Sequence, residues 1–357
     1  MKSMNRLYLV RHGRVYPPDK SICIGSLSNP SLTAEGEAQC RTASGWFNYH
    51  KVSRVFTSPM RRCVESAGLI FDMHAGVNSG LTELGMGEWD GLDFSEIKSR
   101  YPELHARRGI DPSLTPPEGE ELLDAQMRFA SVVERIIQER DGDEDIALVS
   151  HAGVIRLFLC QILGLDAKDF LKLSIPYGSV ITLEIEKGKL SYLGKVTPAI
   201  VPDEKEIQRL YNLAQTPQEA IEHCQSVAQM ALEICCDLEN KGYLMDTQLV
   251  FASALLHDFC RTRKHHHSHA AGFMAAQGYE ATAEIIVRHM ELPDEDEQVC
   301  ESAVLYLADK LVSGTARVSL DERFSRSQKK CQRAKAKKDH ARRWAQAKRV
   351  YEILIKP

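Results

Sequence analysis

Two short apolar runs in this chain end in the same way. Leu7-Tyr8-Leu9-Val10 closes on Arg11-His12-Gly13, and Ile146-Ala147-Leu148-Val149 closes on Ser150-His151-Ala152-Gly153. An apolar run this short, with no polar alternation, suits a strand buried on both faces, as in parallel sheets. Such sheets place ligands beyond the carboxyl ends of their strands, so each histidine is delivered to a position for chemistry. Arg11 adds a bidentate fork for phosphate, and Gly13 lets an oxyanion approach the backbone. The turn after His151 opens a helix over 154–163 whose first N–H groups are donors for an anion. Alone, Arg11-His12-Gly13 also fits a capping histidine beside a solvated arginine.

The segments between the runs favour an α/β fold. A loop over 14–30, rich in proline and glycine, suits the mouth of a site. Thr33 is placed as the N-cap of a helix carrying Ala43, Trp46 and Phe47. A second strand is expected over 52–57, followed by Ser58-Pro59-Met60-Arg61-Arg62 and a helix through Ala67 and Ile70. One of that arginine pair is expected to point inward. A glycine-rich loop, Gly85 to Gly91, holds acidic residues over the sheet edge, and a helix runs from Glu121 to about Gln138. Val180 to Ile185 and Leu190 to Val196 form a hairpin around Lys187-Gly188-Lys189. Strands alternating with helices make this half α/β.

At 357 residues two domains are expected, and 43% hydrophobic with 26% charged residues argues against disorder. A net charge of −4 names no partner. Ten cysteines form no Cys-x-x-Cys pair, and Cys235-Cys236 is expected as reduced thiols in a helix core, which fits a cytoplasmic location. Residues 1–10 lack a long apolar core, and no apolar run is long enough to span a membrane, so no membrane partner is expected.

Arg11-His12-Gly13, Leu32-Thr33-x-x-Gly36-x-x-Gln39, Ser58-Pro59-x-x-Arg62-x-x-x-Ser66-Ala67, Glu83 within Leu-x-Glu-x-x-x-Gly-x-Trp-x-Gly, and Ser150-His151-Ala152-Gly153 occur in order. Together they resemble the histidine phosphatase (phosphoglycerate mutase-like) superfamily. The resemblance implies a mostly parallel sheet with helices on both faces and hydrolysis of a phosphomonoester. It implies that His12 is the nucleophile and forms a phosphohistidine. Arg11, Arg62 and His151 would bind the phosphoryl group, and Glu83 would protonate the leaving oxygen. The family spacing selects Arg62 over Arg61. Two guanidiniums and an imidazole around one nucleophile also suit phosphoryl transfer on physical grounds, with no metal or other cofactor in this half. Arg14-Val15 stands where members usually carry an acidic or amide residue and threonine, which bears on the substrate. The compact domain looks more like the phosphatases, including the α-ribazole phosphatase group, than the mutases.

Thr197 to Asp203 is polar and proline-bearing, a linker signal, and beyond it strand signals disappear. Leu249 to Leu256 reads as a buried helix ending in His257-Asp258. His223 lies on a helix from Pro217 to Leu238, and Asp309 lies in the apolar helix Ala303 to Leu311. An unpaired carboxylate there is expensive, and a divalent cation removes the expense. Two imidazoles and two carboxylates suit manganese, magnesium with water, or iron. For Asp309 a salt bridge, and for His223 a surface helix position, are the plainer readings.

His223, His257-Asp258 and Asp309 on a helical background resemble the HD-domain metal-dependent phosphohydrolases. The resemblance implies an all-α domain with those four residues as metal ligands and a phosphate ester or nucleotide as substrate. One metal is expected, while His269 and His289 are similar to ligands of members with two metals. The run His265 to His267 reads as a solvated tract. The domains are expected at 1–197 and 209–325, with a linker at 198–208 and a basic terminal helix at 326–357. The whole chain then reads as a bifunctional phosphohydrolase acting on small phosphorylated metabolites or nucleotides, with no nucleic-acid partner. The alternative is a phosphatase regulated by a non-catalytic HD domain that senses a nucleotide or metal.

Overall fold

The computed structural model describes residues 5–17, 21–142, 144–329 and 332–356. The chain divides into two compact units, Met1–Pro198 and Ala199–Pro357. In the first, β1 (Asn5–Arg11), β2 (Arg54–Thr57), β3 (Ala75–Val77), β4 (Ile146–Ser150), β5 (Val180–Glu186) and β6 (Lys189–Val196) form one sheet in the order β3-β2-β4-β1-β5-β6. The β1–β4, β4–β2 and β2–β3 pairs are parallel, whereas β5 is added antiparallel to β1 and β6 antiparallel to β5. His12 and His151 therefore leave neighbouring parallel strands at the same end.

Alternation along β1 explains how helices cover both faces. Leu7 and Leu9 share a core with Phe129, Val133, Leu157 and Phe158. These come from α5 (Leu122–Gln138) and α6 (Ala152–Leu163). Tyr8 points the other way and meets the edges of Trp46 and Phe47 on α1 (Ala34–Phe47), with ring centroids 5.8 and 5.4 Å away. Beside α1 lies α2 (Arg61–Ile70), and the short helices α3 (Phe94–Arg100) and α4 (Pro102–Ile110) follow the glycine-rich loop. Thr33 caps α1 by accepting from Gly36 N, while its own N–H donates to Arg14 O. A Cβ on Gly36 would stand 2.1 Å from Arg14 O, so that position has no room for a side chain. The loop after His12 is thus pinned to α1.

The second unit is built on α7 (Glu204–Ala214), α8 (Gln218–Asn240), α9 (Thr247–Leu256), α10 (His266–Ala276), α11 (Glu280–Arg288) and α12 (Glu301–Lys310). Two terminal helices follow, α13 (Leu320–Gln328) and α14 (Ala334–Leu354). Helix α7 begins inside the stretch read as linker, because Ile207, Leu210 and Tyr211 pack under α9 and α10. The helical expectation is corrected at one place, where β7 (Val312–Ser313) and β8 (Ala316–Arg317) pair antiparallel around Gly314. Gly314 takes φ +62°, which favours glycine. Cys235 is buried as expected but Cys236 is exposed. In the basic tail, Arg342 pairs with Glu291 and Arg349 with Glu297, while Ala347, Val350 and Leu354 join the core, so packing and ion pairs occupy this stretch. Lys330 and Cys331 of that tail lie outside the described residues. No helix among the described residues is long and apolar enough to cross a membrane.

Candidate active sites in the two units

His12 is 5% exposed at the end of β1, with its backbone N–H on Ser150 O of β4. Its Nδ1 lies 2.8 Å from Gly13 O. A carbonyl only accepts, so Nδ1 carries the proton and Nε2 presents a lone pair. Burial, with Arg62 and Arg11 beside it, holds the imidazole well below its ordinary pKa. A neutral, oriented imidazole is what a nucleophilic histidine needs.

Three cationic or donor groups surround it. Arg62, only 1% exposed, donates through Nε to His151 Nδ1 at 3.1 Å, through Nη1 to Ser28 O at 2.8 Å and through Nη2 to Gly25 O at 3.0 Å. Those carbonyls are held in place by Asp90, which accepts from the backbone N–H groups of Gly25, Leu27 and Ser28. Because Arg62 donates to Nδ1 of His151, that ring carries its proton on Nε2 and donates to Ser58 Oγ at 2.8 Å. The His12 and His151 rings lie 5.2 Å apart edge to face. Arg11 donates to Ile175 O at 2.6 Å and stacks 3.6 Å over the Tyr177 ring, while its buried Nε has no partner. Arg61 points away, exposed and paired with Glu65 at 2.6 Å. Burial lowers the pKa of both Arg11 and Arg62, and that desolvation cost is offset when an anion binds.

Glu83 occupies a place that the sequence suggested for the ligand. Its Oε2 accepts from Gly153 N at 3.1 Å, and its Oε1 accepts from Val154 N at 3.1 Å and Leu84 N at 2.8 Å. The N-terminal donors of α6 thus hold a side-chain carboxylate, which corrects the expectation that they receive the bound anion. A Cβ on Gly153 would meet Glu83 Oε1 at 2.5 Å, so the arrangement requires glycine there. Ser58, Ser66 and Tyr177 had no assigned role in the sequence. Ser66 Oγ accepts from Gly13 N at 3.1 Å and donates to Arg62 O at 2.6 Å, tying the turn after His12 to α2. A cavity of about 460 Å³ opens from Arg11, Glu83 and Tyr177 toward Trp89, Arg108 and Arg156.

In the second unit three histidines are oriented by one device. His223 Nδ1 donates to Gly314 O at 2.8 Å, His257 Nδ1 to Ala254 O at 2.7 Å and His289 Nδ1 to Ile286 O at 2.7 Å. Each carbonyl holds a proton on Nδ1, so the neutral rings present Nε2 lone pairs, the form that metal-binding imidazoles take, and at His223 the Asp309 carboxylate 3.3 Å from Nε2 favours a second proton that a cation would replace. The hairpin that interrupts the helices supplies one of those carbonyls. Ligand atoms of His223, His257 and Asp258 lie within 4.8 Å of one another, as do those of Asp258, His266 and His289. His257 is fully buried and its Nε2 has no hydrogen-bond partner, an orphan that a cation satisfies. The donor set of imidazole nitrogen and carboxylate oxygen fits a divalent metal.

Three corrections follow. His266, read as part of a solvated tract, starts α10 and lies 3.0 Å from Asp258 Oδ1. His269 is exposed and lines a separate cavity with Phe259 and Phe273, so of the two further candidates only His289, 3.9 Å from Asp258, joins the cluster. Asp309 is not left uncompensated. Lys310 Nζ lies 2.7 Å from it and His223 Nε2 3.3 Å, and Arg261 pairs with Asp258 at 2.9 Å. Burial opposes ionisation of Asp309, yet Lys310 and the histidines hold its carboxyl well below the usual range.

The profile of the histidine phosphatase superfamily (branch 1) matches residues 7–195, and that of the HD domain matches residues 220–314. HD domains typically depend on a divalent metal. A bifunctional protein of Mycobacterium tuberculosis (strain H37Rv) is 34% identical over 166 residues, covering 45% of this chain and 44% of that relative. The chain thus matches less than half the length of this relative. A putative phosphoserine phosphatase 2 of Hydrogenobacter thermophilus is 28% identical over 199 residues, or 54% of this chain and 97% of that protein. The solved structure of Bacillus stearothermophilus YhfR aligns with a TM-score of 0.50 at 22% identity over 53% of this chain and 95% of its own, a likeness of fold. With the matched profile covering more than half of its length, the chain belongs to the histidine phosphatase superfamily (branch 1) and carries an HD domain after that phosphatase domain.

Proposed function

We propose that the first domain hydrolyses a small phosphomonoester through a phosphohistidine on His12. The observation that carries this is the fixed tautomer of His12, whose Nε2 lone pair stands beside the buried Arg62 and the part-buried Arg11. Nε2 attacks phosphorus as the bond from phosphorus to the leaving oxygen breaks. The imidazole becomes cationic while its Nδ1–H stays on Gly13 O. Arg11, Arg62 and His151 hold the phosphoryl oxygens, where fixed donors act on developing charge without reorganising. Glu83 gives its proton to the leaving oxygen. Oε1 already accepts two N–H groups and Oε2 only one, so the open lone pair of Oε2 is where that proton sits. Water then attacks phosphorus, the P–N bond breaks, and Glu83 takes the proton from water. The substrate belongs to the small phosphorylated metabolites, within an α-ribazole phosphatase-like or broader range.

The second domain, over residues 209–325, is assigned metal-dependent hydrolysis of a phosphate ester or nucleotide. His223, His257, Asp258 and Asp309 would hold the metal, which when bound supplies a polarising cation and a bound water of lowered pKa. Manganese, iron, or magnesium with water fit this donor set. His266 and His289 share Asp258 with that group. Rapid quenching of the full chain with a phosphomonoester, followed by intact-mass measurement, tests the first assignment. An acid-labile phosphoryl adduct is expected in the wild type and absent from His12→Ala. An adduct that persists in His12→Ala moves the nucleophile elsewhere.

A further inference from the structure

We propose that the cavity beside His12 is built for a second anion. Arg108 and Arg156 receive a carboxylate on the leaving group of a phosphomonoester whose body is apolar. This rests on the assignment of His12 as nucleophile.

The cavity holds about 460 Å³, the size of a metabolite site, and its polar lining is lopsided. Arg11, Arg108 and Arg156 all line it, and Glu83 is the one lining carboxylate among the described residues, with its oxygens engaged by three backbone N–H groups. Neither Arg108 nor Arg156 forms an ion pair with a described residue. Arg156 donates Nε to Leu173 O at 2.7 Å, which leaves both terminal nitrogens available. Arg108 reaches only the carbonyls of Pro112 and Leu114 with Nη1, each at 3.3 Å, and lies 5.6 Å over the Trp89 ring. Trp89 is 3% exposed and its Nε1 has no hydrogen-bond partner.

Arg128 shows how this fold treats a part-buried arginine of structural use. It is paired with Glu120 through Nε at 2.8 Å and Nη2 at 2.9 Å, with carbonyls taking the remaining donors. Arg108 and Arg156 are also desolvated enough to lower their pKa values, yet they have no such partner. Two partly desolvated cations around one cavity, neither with a carboxylate partner, call for an acceptor-rich anion. The other walls come from Ile22, Met86, Phe94 and Phe170, which suit an apolar or aromatic body. The planar guanidinium fork matches a carboxylate.

The test compares 4-carboxyphenyl phosphate with 4-carbamoylphenyl phosphate on the full chain. These esters have nearly the same shape and differ in the charge of the distal group. The expected kcat/KM ratio favours the carboxylate by about tenfold or more, mainly through KM. Arg108→Gln and Arg156→Gln should each collapse that ratio toward unity, and Arg156→Lys should restore part of it. A ratio near unity in the wild type, with hydrolysis of both esters abolished by His12→Ala, overturns the subsite and leaves the nucleophile assignment standing. Hydrolysis that survives His12→Ala, or no hydrolysis of either ester, removes the nucleophile assignment and the subsite with it. A preference that persists in both Gln variants also overturns the subsite.

Discussion

Both units place buried histidines at the ends of regular elements, and they solve the charge problem in opposite ways. In the first, His12 is surrounded by arginine, so the counter-charge for a phosphoryl group is covalently part of the chain and already desolvated. In the second, imidazole lone pairs face two carboxylates, an arrangement that attracts a cation before it attracts an anion. Strand ends suit the first solution because neighbouring strands hold side chains rigidly around one point. Helix ends suit the second because the carbonyls three residues before His257 and His289, at Ala254 and Ile286, lock the ring tautomer, while the hairpin supplies Gly314 O to His223. A site with built-in positive charge is ready as folded, whereas one with built-in lone pairs depends on what it captures.

The contrast breaks first at His12. His12→Ala should lower phosphomonoesterase activity by roughly 10³-fold or more, and chelation should leave the wild-type activity intact. Loss of that activity on chelation would merge the two sites into one metal-dependent chemistry. Next, Asp258→Ala should remove bound metal, measured by elemental analysis, and cut metal-dependent hydrolysis of nucleotides or phosphate esters by about 10²-fold or more. His12-dependent turnover should persist in the same variant. Tight metal or nucleotide binding with no turnover in the wild type would instead make the second unit a sensor.

Glu83→Gln sharpens the comparison within the first site. Alkyl phosphates should slow by about 10²-fold, and 4-nitrophenyl phosphate by only a few-fold, because its leaving group needs little protonation. Equal losses would exclude Glu83 as the acid. Chelation should also lower the melting transition of the second unit alone. Metal at 100 times its dissociation constant adds about 2.7 kcal/mol, or roughly 5–10 °C for a unit of this size. Since Lys310 and Arg261 already compensate the carboxylates, the apo unit should still unfold cooperatively. Identical melting with metal and with chelator would void the metal assignment.

The smallest effect expected is on pH dependence. Burial lowers the pKa values of His12 and His151 below their ordinary 6.5. As pH falls through 6.5 the unfolded chain takes up protons first, so the stability these residues contribute is held above that pH and lost below it. The acid limb of kcat/KM should likewise fall below pH 6.5, because the His12 lone pair is what protonation removes. A limb at or above 6.5 would show that His12 is not held neutral by its surroundings.

Much of the architecture is local and therefore readable from the chain. The apolar runs Leu7 to Val10 and Ile146 to Val149 are wholly buried strands, Thr33 caps its helix, and the hairpin of β5 and β6 follows its turn residues. Burial periodicity, capping chemistry and turn residues act over a few positions, so they are written where they operate. The resemblance of five spaced motifs carried the family as well. Facing relations were decided by packing between distant segments. No local pattern announces that the start of α6 holds Glu83, that Tyr177 lies beneath Arg11, or that Arg108 and Arg156 share a cavity with Trp89. In the second unit His266 and His269 stand three positions apart in one helical run. Only the approach of Asp258 and the burial of His289 separate the residue that joins the cluster from the one that faces a different cavity. Side chains on one helix become inequivalent only when another element covers one of them, and that choice belongs to the tertiary structure.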